Sequence, residues 1–153
     1  MKMINLNFYY RTVESAIAKL GLDPQKARTQ NAGKWTITKG EIPVWIDIVY
    51  LQNENRVYFQ VAAPVFNMTP ANQASLALDL LETNNKLFGV AFCSNREKVF
   101  IKTLREAEGL DMNEAYAMIL RVGNYAAEYR QNLLKKYSGQ APAENRNMPH
   151  QNS

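Results

Sequence analysis

The stretch from Asn53 to Asp111, NENRVYFQVAAPVFNMTPANQASLALDLLETNNKLFGVAFCSNREKVFIKTLREAEGLD, reads as strand, helix, strand, strand. Asn53-Glu54-Asn55 is a turn, and Arg56 to Ala63 has the period-two apolar pattern of a strand. Pro64 has no N–H to continue a ladder and is predicted to end that strand. Thr69-Pro70 then has the form of a helix start, a hydroxyl cap followed by proline at the first position, and the helix is predicted to run to about Lys86. Its apolar residues fall in two stripes, Ala74-Ala77-Leu78-Leu81 and Leu76-Leu80-Leu87, which is more apolar surface than a helix lying on one sheet face requires. A second partner for this helix is implied. Gly89 to Ser94 and Lys98 to Leu104, joined by Asn95-Arg96-Glu97, read as a hairpin.

Upstream, Asn5 is placed to cap a helix whose apolar residues Leu6, Tyr9, Tyr10, Val13, Ala16, Ile17 and Leu20 recur three and four apart, and Gly21 stops it. A polar connection opens at Asp23-Pro24. Lys34 to Thr38 then alternates with Trp35 and Ile37 on one side, Lys39-Gly40-Glu41 turns, and Val44 to Leu51 is strand-forming throughout apart from Asp47. Downstream, Asp111 and Glu114 form a capping box for a long helix carrying Met118, Ile119, Val122, Tyr125, Ala126, Tyr129 and Leu133, ending near Tyr137. The order is αβββαββα, an α+β domain over residues 1–137 in which helices pack on an antiparallel five-stranded sheet. From Ser138 to Ser153 the chain turns to Gly, Pro, Ala, Asn and Gln with a lone Met148, a composition that predicts a disordered tail.

A chain of 153 residues, 46% apolar and 21% charged, falls in the range of one ordinary domain, burying about two-thirds of its unfolded surface. No apolar run approaches the roughly 20 residues that cross a bilayer, and Met1 to Leu6 lacks the apolar core of a signal peptide, so no membrane partner and a cytoplasmic location are expected. Cys93 stands alone in an apolar stretch, as a small buried hydrophobe does. The net charge of +4 is spread from Lys2 to Arg146 with no basic run longer than Lys135-Lys136.

Residues that would carry catalysis are missing. His150 lies in the polar tail, where nothing orients it as a base, and no set of His, Cys or carboxylate ligands has metal-binding spacing. Asp47, between Trp45 and Val49, is the one carboxylate with apolar flanks, and an exposed edge position or pairing with a lysine or arginine across the strands explains it more simply than an acid–base role. Asp79 and Glu82 fit the solvated side of a helix. The expectation is a binding protein with no catalytic residue, no cofactor and no metal.

Several strings carry a family likeness: Asn55-Arg56-Val57-Tyr58-Phe59 leading to Ala63-Pro64-Val65, then Leu80-Leu81 with Asn84-Asn85 and Leu87, and Glu108-Gly109-Leu110-Asp111 before the last helix. With the order of elements, they make the chain resemble the YbjN family of bacterial proteins and the wider group sharing the fold of type III secretion chaperones such as the Tir chaperone. The likeness spans about Val13 to Tyr137. It implies an αβββαββα domain, often dimeric, without cofactor or active site, and a chaperone-like or regulatory role in holding a partner polypeptide. Secretion chaperones are usually acidic, whereas this chain is basic.

Strand alternation gives the surfaces on which such a partner would dock. If Trp35, Ile37, Val44, Ile46, Ile48, Val57, Phe59, Val61, Val90, Phe92, Val99 and Ile101 face the helices, the opposite face receives Trp45, Asp47, Val49, Leu51, Tyr58, Gln60 and Phe100. A solvated sheet face is normally polar. Either a helix or loop of the same chain covers Trp45, Val49, Leu51, Tyr58 and Phe100, or these residues form a candidate partner or dimer surface, for which Leu76 and Leu80 from the second stripe of the middle helix are the other candidate. An alternative is single-stranded nucleic-acid binding, since Lys98, Phe100 and Lys102 share one strand face as an aromatic flanked by two cations. Alternating lysines serve equally as edge protection and solubility.

Overall fold

A computed structural model describes residues 3–142. The helices are α1 (Leu6–Lys19), α2 (Pro24–Ala27), α3 (Gln73–Asn84) and α4 (Met112–Lys136), and the strands β1 (Lys34–Lys39), β2 (Ile42–Leu51), β3 (Arg56–Asn67), β4 (Ala91–Asn95) and β5 (Lys98–Glu106). The strands form one antiparallel sheet in the order β1-β2-β3-β5-β4. The order read from the sequence is the order found, with α2 as one added turn of helix. Asp23 explains that turn, because its carboxylate accepts the Gln25 N–H at 2.9 Å and Pro24 supplies a preset φ.

The helix ends follow the cap chemistry. The Asn5 side chain accepts the Asn7 N–H at 3.1 Å, and Gly21, at φ +82°, takes the left-handed conformation that ends the run. At α4 the capping box is complete: Asp111 accepts the Glu114 N–H at 2.8 Å and Glu114 accepts the Asp111 N–H at 3.1 Å.

Two boundaries differ from expectation, and both trace to backbone hydrogen bonding. Pro64 does not end β3, which continues to Asn67. The ladder between β2 and β3 stops at the pair Trp45–Ala62, and the same register carried two residues on would set Pro43 against Pro64. Neither has an N–H to give, so β2 leaves and β3 goes on with β5 alone, through a bulge between Pro64 and Phe66. That shift places both Val65 and Phe66 in the core. The other boundary is the start of α3. Thr69-Pro70 forms a preceding turn, in which the Asn72 side chain accepts the Thr69 N–H at 2.9 Å, and α3 begins at Gln73 and ends at Asn84.

The main core lies between the sheet and the helices. Val13, Ala16 and Ile17 of α1, Leu76 and Leu80 of α3, and Ala115, Ile119, Val122, Ala126 and Leu133 of α4 meet Trp35, Ile46, Phe59, Val61, Val99 and Ile101 from the strands. The inward-facing residues assigned by alternation all belong to this core, Ile37 as a half-buried member. Glu14 ties α1 to the sheet and to the end of α2. Its carboxylate accepts Arg28 Nε at 2.5 Å, Arg28 Nη2 at 2.8 Å and Trp35 Nε1 at 3.1 Å.

The Arg28 hydrogen bond holds the Glu14 carboxyl below the usual glutamate range, with burial opposing and the Trp35 indole assisting. A carboxylate with a depressed folded pKa contributes stability that is complete above its unfolded value, about 4.3, and is lost as pH falls through the folded value. Glu14→Gln is therefore expected to flatten the dependence of unfolding free energy on pH below about 4.3, measured by urea titration at stepped pH.

Candidate functional site

Helix α3 is set at the edge of the sheet and held there at several points. Leu76 and Leu80 enter the main core, Lys136 of α4 pairs with Asp79 at 2.8 Å, and the Asn72 amide donates to the Ser138 carbonyl. The Asn84 carboxamide reaches the outer edge of β4, donating to the Phe92 carbonyl at 3.2 Å and accepting the Phe92 N–H at 2.7 Å. One side chain thus satisfies the backbone pair that an edge strand would otherwise leave open. Asn84→Ala is expected to cost about 1–3 kcal/mol in chemical denaturation, because it orphans both Phe92 groups.

With α3 fixed this way, the placement of its two stripes corrects the reading of Leu76 and Leu80 as a partner surface. Both face the chain's own core, because the stripe they form is continuous with Leu87 over the sheet. The other stripe points to solvent: Leu78 is 59% exposed and Leu81 68%. Phe88, in the loop after α3, is 84% exposed. Gly89, at φ +73°, brings that loop so close to Arg121 of α4 that a Cβ there would lie 2.7 Å from the guanidinium. Leu78 and Leu81 are thus exposed one turn apart on α3, and Phe88 is exposed in the loop that follows. Phe88 was absent from the sequence-derived set because a loop residue has no period to expose it.

The reverse face of the sheet divides into two parts. Trp45 and Phe100 are 1% and 2% exposed, with ring centroids 5.7 Å apart, and with Ala62 they form a small cluster against which Cys93 packs. Asp47 is buried beside them, 3.7 Å from Lys34 Nζ and 3.3 Å from Gln60 Nε2. Towards the other end, Val49, Leu51 and Tyr58 are half-buried and Leu104 is exposed. The Tyr58 hydroxyl donates to Glu54 at 3.1 Å, which raises its pKa. Leu104 shares the parity of Phe100 and Lys102, so alternation alone places it on this face.

Of the residues expected at an open surface, Trp45 and Phe100 are therefore enclosed. That removes the stacking platform of the nucleic-acid alternative, because the Phe100 ring is pressed against Trp45 and withdrawn from any base.

Burial pushes the Cys93 thiol pKa up, with the Lys102 charge opposing. Among the described residues no group of three or more His, Cys, Asp and Glu side chains is arranged to hold a metal, and no helix is long and apolar enough to cross a membrane. His150 lies outside the described residues. A shallow groove on the outer side of α4, lined by Tyr116, Leu120, Arg121, Asn124, Tyr125 and Glu128, brings no such chemistry together.

No protein-family model matches the sequence, and no curated protein does. Solved structures do match it. A chain of the ExsC–ExsE complex superposes with a TM-score of 0.62 at 13% identity, covering 84% of this chain and 96% of that one. The type III secretion chaperone SycH of Yersinia pestis, solved with a stable fragment of YscM2, gives 0.59 at 15% identity, covering 79% and 98%. YbjN of E. coli gives 0.52 at 14% identity, covering 86% and 93%. At these identities the likeness concerns the fold. The chain has the α+β fold, helices on a five-stranded antiparallel sheet, that is shared by the secretion chaperone SycH and by YbjN.

Proposed function

We propose that this protein is a non-enzymatic, chaperone-like or regulatory module that binds a partner polypeptide and works as a homodimer in the cytoplasm, with residues 1–137 as its single functional domain. The observation that carries the reading is the solvent-facing stripe Leu78–Leu81 with Phe88, on a helix whose other side already satisfies the core. Large apolar side chains left in water favour a partner that covers them. A two-fold axis beside α3 would set Leu78 and Leu81 of one protomer against their copies, a self-complementary contact. Two of the structures sharing the fold are complexes with a second protein. The open part of the reverse face, with Val49, Leu51, Tyr58 and Leu104, supplies half-buried apolar area for an extended segment.

Light scattering on the purified full chain tests the dimer. A mass of twice 17.5 kDa is expected at micromolar concentration, and a species of 17.5 kDa persisting at high micromolar concentration would count against it.

A further inference from the structure

Helix α3 is weakly supported by its own sequence at both ends. Asn72 stands at the N-cap, yet its side chain accepts no N–H from the first turn, that turn holds no acidic residue, and the last turn holds no basic one. A helix of 12 residues with such ends owes its stability to tertiary contacts. Asn72 is 8% exposed, and its carboxamide is engaged elsewhere: Oδ1 accepts the Thr69 N–H at 2.9 Å and Nδ2 donates to the Ser138 carbonyl.

The chain leaving α4 supplies the other half of this contact. The Ser138 carbonyl accepts from Asn72 and, at 3.4 Å, from the Thr69 hydroxyl. Gln140 forms an isolated bridge with Asn67, accepting the Asn67 N–H at 3.1 Å and donating its own N–H to the Asn67 carbonyl at 3.3 Å. Asn67 pairs with Lys98 of β5 on one side, so Gln140 takes the other side of β3, the edge that β2 vacates beyond Ala62. Between them, Gly139 lies so close to β3 that an added Cβ would overlap the Phe66 ring and stand 2.7 Å from the Asn67 carbonyl oxygen. Ser138 to Gln140, which composition assigned to a disordered tail, thus form a strap from the end of α4 to β3 and to the start of α3; residues 143–153, the rest of that expected tail with Met148, lie outside the described residues. The strap is lightly held. None of its three residues belongs to the core, Ser138 and Gln140 are exposed, and Asn67 Oδ1 is buried with no hydrogen-bond partner among the described residues. An orphaned carbonyl at the strap's own anchor penalises the closed arrangement, and contact with water relieves it.

We propose that Ser138–Gln140 are a displaceable latch on α3: closed, the strap holds the first turn of that helix against β3, and open, it loosens the helix that carries Leu78 and Leu81. Opening then weakens self-association through those leucines. This consequence rests on the dimer reading above, whereas the local loosening of α3 does not.

Hydrogen exchange read by mass spectrometry compares the natural chain with two full-length variants. Gly139→Val stops the strap from closing on Phe66, and Gln140→Pro removes the N–H given to Asn67 without adding bulk at position 139. The expected result in both is exchange faster by roughly tenfold over residues 73–77, with α1 and the middle of α4 unchanged, and a Kd for self-association several-fold higher by sedimentation equilibrium. Far-UV circular dichroism checks that each chain is folded. Unchanged α3 exchange in both folded variants, or equal acceleration across α1, α3 and α4, would overturn the latch, and faster α3 exchange with an unaltered Kd would overturn its coupling to association. A natural chain that stays monomeric would instead overturn the dimer reading, and the exchange comparison would still decide the latch.

Discussion

Leu78→Glu combined with Leu81→Glu is expected to convert the proposed dimer to a folded monomer. Burying a leucine contributes about 1.5–3 kcal/mol, and a two-fold axis counts each leucine twice. Removing both, and facing like charges instead, should weaken association by more than about 4 kcal/mol, a factor near 1,000 in Kd. Both side chains are solvent-facing in the single chain, so the substitutions should leave its fold intact. Leu78→Ala should shift unfolding free energy by no more than about 0.5 kcal/mol when measured on the monomeric form. Sedimentation equilibrium reads the first effect and urea denaturation the second. A double variant that remains dimeric would move the interface elsewhere.

Phe59→Ala carries the largest expected stability loss. Phe59 sits on β3, between Ile48 of β2 and Arg105 of β5, and is fully buried in the main core. Truncation removes its transfer free energy and leaves a cavity that a central strand cannot close by moving, a cost of about 3–5 kcal/mol. Whole-domain stabilities are about 5–15 kcal/mol, so the variant should lose about a fifth or more of its margin. The urea midpoint should fall with little change in slope. The contrast with Leu78→Ala separates residues that hold the fold together from residues held out to a partner.

Much of the architecture was legible because local and global signals agree. Asn5, Gly21 and the Asp111–Glu114 pair mark helix ends through hydrogen bonds that involve only near neighbours in sequence. The strand faces follow from the two-residue repeat, and the inward set from Trp35 to Ile101 is in the core as assigned. What was not legible depends on distant partners. Proline reads as a terminator, but whether Pro64 ends β3 depends on which neighbour its edge faces. β2 has already left there, opposite its own Pro43, so no ladder bond is lost on that side. The start of α3 moved because the Asn72 side chain satisfies the Thr69 N–H and tightens the preceding turn.

The candidate surface was legible as a kind of feature but not residue by residue. Two leucine stripes on α3 announce two apolar contacts, and the pattern is nearly symmetric between them. Only the packing of α3 decides that Leu76 and Leu80 go inward while Leu78 and Leu81 stay outside. On the reverse face the repeat correctly puts Trp45 and Phe100 together on one side, where their rings meet. It cannot say that they are enclosed, because enclosure depends on what lies above the sheet. Leu104 follows from the same repeat.

The most direct test of the central claim is fluorescence anisotropy of the full chain against labelled extended peptides rich in apolar residues and, in parallel, a labelled single-stranded oligonucleotide. Each is titrated at about 50 mM and 200 mM salt, a range over which a protein making several phosphate contacts loses orders of magnitude in affinity. The expected result is saturable binding of a subset of peptides, nearly independent of salt, with no comparable binding of the oligonucleotide. Oligonucleotide binding that collapses with salt, with every peptide inert up to high micromolar protein, would contradict it.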